Sequence, residues 1–288
     1  MSEARDFPFM DPVGTDYSAE THLLGEGTQK LFLARRAQHP DESYLMAVDL
    51  YKDQDIDAIR TSLGYRIPRV FELATVARFD EVEGDGRRNA ERRSHWAMLE
   101  VLPDGEWLPR VLAGQPRSAK VAVTLGRNAG AILQSAADAG VLLTGVRPQY
   151  MWGRAQAEGI ELTGLSGRGE TFFKIVRPRS SFTPPLFDRM YCAPEVLRGQ
   201  PADDRSLTFT LALLVAEWAT GRYPFPDSTV PGPMTSYHTG AHAPLALPPK
   251  LETLISRCLQ TKVGARPRLA ELVDALRSVP THEPARRL

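Results

Sequence analysis

The order of two kinds of segment constrains this chain more than any other feature. Strand patterns come first, with three strands predicted around a glycine-rich turn at residues 21–50 and a buried strand at 95–101. Helical patterns follow: residues 120–139 carry apolar side chains at helical spacing, and residues 207–218 are apolar all round, which is typical of a buried helix. This order predicts an α+β protein with a small sheet-rich lobe followed by a larger helical lobe.

The remaining segments are assigned from the same periodicities. Residues 56–76 predict a helix interrupted near Pro68, and short strands are expected around Val141 and Ile160. Two more amphipathic helices are expected at residues 251–259 and 268–276. We therefore expect four parts: a flexible N-terminal segment at 1–17, the sheet-rich lobe at 18–105, the helical lobe at 106–280 and a C-terminal tail at 281–288.

Charge and cysteine content narrow the class of protein. Lys plus Arg equals Asp plus Glu at 35 each, which argues against nucleic acid as the main partner. The cluster formed by Arg87, Arg88, Arg92 and Arg93 predicts a solvated loop.

The two cysteines suit a reducing cytoplasm and form neither a disulfide framework nor a zinc site. No apolar run reaches the length of a membrane span and no signal peptide is recognisable, so we expect a cytoplasmic protein without membrane insertion.

A series of short motifs follows in a fixed order along the chain. Each motif is weak alone, and their order and spacing carry the argument. The motifs are the glycine-rich turn Gly25–Lys30, Met46-Ala47-Val48-Asp49, Leu99-Glu100-Val101, Tyr191-Cys192-Ala193-Pro194-Glu195, Thr220-Gly221-Arg222 and Arg266-Pro267. Over roughly residues 21–280 the chain resembles a bacterial-type serine/threonine protein kinase domain. The resemblance implies the bilobal protein kinase-like fold and a buried ion pair between Glu195 and Arg266 that ties the activation segment to the helical lobe.

The residues that transfer phosphate in that family are replaced here. Alignment with the family puts Asp49 at the strand lysine, Gly145 at the catalytic aspartate, and Tyr150 and Gly164 at the two metal-binding positions. Neither of the two metal-binding positions keeps an oxygen ligand of the kind that magnesium requires. The resemblance therefore predicts a pseudokinase, which is not an enzyme and holds no metal or cofactor.

Nucleotide binding is left open by the aligned positions. Asp49 would repel phosphates, and Trp152 stands at the floor of the adenine slot, where an indole could fill the slot itself or serve as ordinary core. Lys30 stands where the with-no-lysine kinases carry their phosphate-holding lysine, although a solvent-facing lysine is the plainer interpretation. Contacts to a nucleotide would come from Gly25, Gly27, Lys30, Ala47 and Trp152.

Three functions remain in competition on these residues. The first is a protein-binding scaffold or allosteric regulator of a partner such as an active kinase or another signalling protein. The alternatives are a nucleotide-binding sensor and an atypical nucleotide-dependent transferase that uses Lys30. The segment 172–187 stands at the substrate-docking region of the family, and its Arg177, Arg179 and Phe182 are of the types enriched at binding hot spots, although its aromatic residues could equally pack on their own lobe.

Overall fold

The computed structural model describes residues 8–10, 15–26, 29–49, 66–67, 71–83, 91–113, 118–156, 159–165, 190–225, 241–245 and 247–279. It divides into two compact units. The first comprises residues 1–103 and 165–180, and the second comprises residues 104–164 and 181–288.

An antiparallel sheet of seven strands forms the first unit, in the order β1–β2–β3–β4–β7–β6–β5. In addition β1 pairs with β6, so the pairings β1–β2–β3–β4–β7–β6–β1 close into a ring. The strands are β1 (Pro8–Met10), β2 (Asp16–Glu26), β3 (Gln29–Arg36), β4 (His39–Asp49), β5 (Arg66–Ile67), β6 (Phe71–Glu83) and β7 (Glu91–Val101). The predicted strands at 21–50 and 95–101 lie within β2, β3, β4 and β7.

Period-two alternation places the core of this sheet. Tyr17 and Ala19 share one face of β2, and Ala97 and Leu99 share one face of β7, because successive residues of a strand point to opposite faces. These residues belong to one buried cluster, whose members are Tyr17, Ala19, Ala34, Met46, Ala97 and Leu99. Tyr44 packs against the cluster with its ring edge-on to that of Tyr17, at a centroid distance of 5.6 Å.

Four local expectations differ from the structure. The predicted helix at 56–76 is wrong over its described part, where β5 and β6 lie; the alternation of Phe71, Leu73, Thr75, Ala77 and Phe79 is the strand signal that was missed. The N-terminal segment is not wholly loose, since β1 lies within it. Arg92 and Arg93 lie in β7, because they pair with β6, and not in a loop. Val141 lies in no strand: it follows the turn that ends α2, and its N–H donates to Ala136 O at 2.8 Å.

Helices and a small sheet build the second unit. The three-stranded sheet has the order β10–β9–β8, with β8 at Glu106–Trp107, β9 at Met151–Gln156 and β10 at Gly159–Leu165. The α-helices are α1 (Leu108–Ala113), α2 (Ala119–Asp138), α3 (Pro194–Leu197), α4 (Asp204–Thr220), α5 (Pro249–Cys258) and α6 (Leu269–Ser278). The predicted α+β class and bilobal kinase-like fold are confirmed by this arrangement and by the structural comparison given below.

The central helix α4 is fixed at both ends by its own sequence. The Asp203 side chain accepts from the N–H groups of Arg205 and Ser206, and the Ser206 hydroxyl accepts from the Asp203 N–H, which together form a capping box. At the other end Gly221 adopts φ +73°, and its N–H donates to Glu217 O at 2.7 Å. Between the caps nearly every side chain is buried, as the apolar pattern of residues 207–218 predicts.

Candidate functional site

The resemblance aligns the loop that follows α2 with the catalytic loop of protein kinases. Leu143 and Thr144 are buried, and Gly145 adopts φ +77°, a conformation that favours glycine. Pro148–Tyr150 then forms one turn of 3-10 helix leading into β9. Residues 140–152 contain no Asp, Glu, His or Cys, so this loop has no carboxylate, imidazole or thiol side chain.

Tyr150 is built into the second unit. It is 5% exposed, and its N–H donates to Arg147 O at 3.0 Å. The Arg147 guanidinium lies over the Tyr150 ring, 4.8 Å from its centroid, and Arg147 is buried as well. A cation–π contact between two buried side chains therefore holds Tyr150, the residue that the resemblance aligns with the metal-binding asparagine.

Trp152 is part of the packed interior of the same unit. It is 2% exposed and is the cross-strand partner of Trp107 in the β8–β9 pair. The Trp107 indole N–H donates to Gln149 O at 2.9 Å and so fixes the end of the 3-10 turn beside β9. Gly164 lies buried near the end of β10.

The other candidate nucleotide contacts belong to the first unit, where the backbone register places them. Gly25 of β2 pairs with Lys30 of β3, and Ala47 lies between Leu31 and Met98 on its two neighbouring strands. The cross-strand partner of Lys30 is Val48, so Lys30 is not directly opposite Asp49. Gly27 lies outside the described residues.

Glu195 and Arg266 are brought together across 71 residues of sequence. Arg266 donates through its two terminal nitrogens to the two carboxylate oxygens of Glu195, at 2.7 and 2.9 Å. The Glu195 side chain is 3% exposed and the Arg266 side chain is 0% exposed. This bidentate pair fixes the first turn of α3 to the segment that precedes α6.

A shell of further hydrogen bonds surrounds the pair. The Ser206 hydroxyl donates to Glu195 Oε1 at 2.7 Å, so the capping residue of α4 also holds the carboxylate. Arg266 donates to the carbonyls of Arg205, Gln260 and Thr261, and it lies 4.8 Å from the Phe209 ring centroid. These partners were not predicted, because nothing in the local sequence of α4 indicates which loop its N-terminus meets.

The ionisation of Glu195 follows from this shell. Burial alone would raise its pKa, but hydrogen bonds from Arg266 and Ser206 and the charge of Arg266 hold the pKa of Glu195 below its ordinary value. Glu195 is therefore a carboxylate at neutral pH.

Tyr191 provides a second tie between the end of the activation segment and α4. Its hydroxyl donates to Glu217 Oε2 at 2.7 Å, and its carbonyl accepts from the Thr210 hydroxyl at 2.9 Å. Burial, followed by the charge and hydrogen bond of Glu217, raises the pKa of Tyr191 well above its usual range. Tyr223 donates to Met190 O, and its ring lies 5.8 Å from that of Tyr191. The sequence motif includes Tyr191, but nothing in the sequence predicted which residues it would contact.

The predicted partner-binding residues Arg177, Arg179 and Phe182 lie outside the described residues. Within the described ranges, no group of three or more His, Cys, Asp or Glu side chains is placed to hold a metal ion. None of the helices that the structure describes is long and apolar enough to cross a membrane.

Comparison with known proteins finds two serine/threonine kinases similar to part of the chain. Serine/threonine-protein kinase 12 of Arabidopsis thaliana is 34% identical over 98 residues, which is 32% of this chain and 21% of that protein. Serine/threonine-protein kinase A of Synechocystis sp. is 33% identical over 89 residues, 29% of this chain and 17% of that protein. The matches thus span about a fifth of each relative's length. No family model matches the chain.

The fold comparison covers nearly the whole chain. A crystal structure of the PknI kinase domain of Mycobacterium tuberculosis superposes with a TM-score of 0.58 at 17% identity, over 96% of this chain and 98% of that one. The prediction that the chain is not an enzyme is wrong in the light of these findings, since the relatives are named kinases and the structure is matched by a kinase domain. The predicted protein kinase-like fold is confirmed, and part of the chain is similar in sequence to serine/threonine protein kinases.

Proposed function

We propose that this chain is a kinase-like regulatory domain that binds a protein partner, such as an active kinase or another signalling protein, through the segment at residues 172–187. The observation that supports this most is the buried Glu195–Arg266 pair, which anchors the end of the activation segment. The proposal does not depend on whether the chain also turns over nucleotide. A cytoplasmic location would fit such a role.

The anchor explains how a docking segment could be held. Two residues separate the segment 172–187 from residues 190–195, which are held in place by the bonds from Tyr191 to Glu217 and from Arg266 to Glu195. Anchoring one end of a segment lowers the conformational entropy that it loses on binding. Arg177, Arg179 and Phe182 would then supply the planar charges and the aromatic anchor of an interface.

The experiment has two stages. A partner is first identified by pull-down with the full chain, and its affinity is then measured with both proteins purified. Replacing Arg177, Arg179 and Phe182 by Ala should weaken binding by at least about tenfold, whereas the charge-matched change of Arg87 and Arg88 to Ala should leave the affinity unchanged. Equal affinities for a folded triple variant and the parent would remove the segment from the interface.

A nucleotide-dependent transferase is the second candidate, and it is favoured by the named kinases among the relatives. Because residues 140–152 contain no carboxylate, imidazole or thiol side chain, such an enzyme would have to draw a base of these kinds from elsewhere. Lys30 is the residue that we propose would hold phosphate. Thermal shift with ATP, with and without magnesium, and transfer from labelled ATP would test it.

The matched variants for that test are Lys30→Met and Lys250→Met, the latter at an exposed position of α5. Loss of the ATP-induced shift in Lys30→Met alone supports nucleotide binding through Lys30, and loss of transfer in the same variant supports the transferase. A metal-independent shift without transfer would favour a nucleotide sensor. Absence of both signals in the parent would reject this second candidate.

A further inference from the structure

The strand β1 fills a slot between two much longer strands. It pairs with β2 through Pro8↔Ser18, Phe9↔Tyr17 and Met10↔Asp16, and with β6 through Met10↔Arg78. This strand has three residues, whereas β2 has 11 and β6 has 13. The ring of paired strands in the first unit is therefore closed by its shortest strand, β1.

Few backbone bonds can hold β1 in this slot. Pro8 has no N–H, so only Phe9 and Met10 have one to donate. Within the described residues, β1 pairs with β6 at the single register Met10↔Arg78. A short element with few ladder bonds opens locally at lower free energy than the long strands beside it.

When β1 leaves, it uncovers two strand edges at once. One edge is that of β2 at Asp16–Ser18, whose other side pairs with β3, and the other is that of β6 near Arg78, whose other side pairs with β7. Unpaired strand edges take up extended segments from other chains. A segment known to fit this slot is β1 itself, and a second copy of the chain carries that same segment.

We propose that β1 is an exchangeable closing strand, and that the slot between β2 and β6 accepts the β1 of a second copy of this chain. The exchange preserves each register pair and forms no new type of contact, which is the usual route of strand swapping. It goes beyond the proposed partner site, which is made of other residues: Arg177, Arg179 and Phe182.

Disulfide trapping between single-cysteine variants tests this directly in the full chain. Directly opposite residues of an antiparallel pair have Cα atoms about 4.5–5.5 Å apart, within the range that a disulfide bridges. Met10→Cys protein mixed with Arg78→Cys protein and oxidised with glutathione should form a covalent heterodimer. The native Cys192 and Cys258 are buried, and the parent protein treated identically controls for them.

Three controls make the outcome decisive. Val82→Cys lies four residues further along β6, outside the β1 register, and should trap Met10→Cys at least about tenfold less. Both cysteines in one chain should form an intramolecular disulfide, which reports that the register is right. Excess synthetic peptide of residues 5–14 should suppress the heterodimer, because it competes for the slot.

The opposite results would overturn the inference. No heterodimer in a pair whose single-chain version closes its disulfide would mean that β1 does not exchange. Equal trapping at Arg78→Cys and Val82→Cys would mean that collision alone produced the dimer, and failure of the single-chain disulfide would reject the register itself. Met10→Pro removes an N–H that faces a neighbouring strand and should increase uptake of labelled peptide, so a folded variant without uptake would count equally against it.

Discussion

Arg266 faces the carboxylate of Glu195 with both of its terminal nitrogens, and neither side chain is more than 3% exposed. Removing two charges from water is costly, and the attraction between them offsets that cost only when the remaining donors and acceptors are also satisfied. Here the Ser206 hydroxyl and three backbone carbonyls complete the shell. The pair therefore acts mainly as a geometric tie between α3, α4 and the segment before α6.

Breaking one side of this pair should be strongly destabilising. Arg266→Met leaves Glu195 buried without its counter-charge and should lower the free energy of unfolding by about 3–5 kcal/mol. The double variant Glu195→Met/Arg266→Met should lose much less than the sum of the two single losses. Urea unfolding measures all three, with Arg277→Met as the control, since its pair with Asp274 is exposed and worth under about 1 kcal/mol. A loss below about 1 kcal/mol in Arg266→Met would contradict the prediction.

The same pair sets an acid limit on stability. Because the folded-state pKa of Glu195 is depressed, its contribution is fully present above the unfolded value of about 4.3 and is lost as the pH falls through the lower folded-state value. The stability difference between the parent and the Glu195→Met/Arg266→Met variant should be constant from pH 7 to pH 5. Below about pH 4 it should shift in favour of the variant. Parallel stability curves at acid pH would show that Glu195 does not titrate as inferred.

Gly145 should resist replacement by an aspartate. At φ +77° a Cβ atom costs about 1–2 kcal/mol, so Gly145→Ala should destabilise the protein by that amount. Gly145→Asn should cost less, since asparagine tolerates this conformation better, and Gly145→Asp should fall between the two. Thermal unfolding of the three variants gives the order. An alanine variant as stable as the parent would mean that the loop relaxes to a negative φ.

Much of the fold could be predicted because its signals are local. The alternation in β2–β4, the helical spacing in α2 and the apolar run of α4 each follow from a short window of sequence. The predicted helix at 56–76 overlaps β6, whose alternating residues Phe71, Leu73 and Thr75 carry a strand signal that pairing with β7 reinforces. The closing strand β1 was missed because its three residues carry no periodicity of their own.

For the candidate site, the sequence identified residues but not the contacts that they make. Resemblance named Glu195, Arg266, Tyr150 and Trp152, but it gave no contacts for them. The Arg147 guanidinium over Tyr150 and the Ser206 hydroxyl on Glu195 arise where separate elements meet. Such contacts depend on tertiary packing, which local propensity does not encode.

The hydroxyl of Tyr191 should contribute more to the free energy of unfolding than that of Tyr44, although both donate to a glutamate at 2.7 Å. Tyr191 is 6% exposed, whereas the bond from Tyr44 to Glu42 is exposed to water. Tyr191→Phe should therefore lower the free energy of unfolding by about 1.5–3 kcal/mol, as expected for a bond to a charged group. Tyr44→Phe should change it by less than about 0.5 kcal/mol. Similar losses for the two variants in urea unfolding would show that burial does not separate them.

Close packing of α2 depends on two glycines spaced four residues apart on one face. A Cβ atom at Gly126 would lie 2.7 Å from Val215 Cγ2, and one at Gly130 would lie 2.7 Å from Val273 Cγ2. Both valines are buried and β-branched, so neither turns away easily. These glycines are therefore what allows α2 to approach α4 and α6.

Gly126→Ala sets two effects of known size against each other. Alanine gains about 1 kcal/mol of helix propensity over glycine, while overpacking a dense core costs about 1–3 kcal/mol. We expect a net loss of about 1 kcal/mol, because the clash is with a stiff side chain. Gly264→Ala is the control, since nothing lies within 4 Å of its added methyl group. In a double-mutant cycle Val215→Ala should cost less in the Gly126→Ala background than in the parent, because it removes the methyl group that clashes. A Gly126→Ala variant more stable than the parent would mean that α2 and α4 have room to separate.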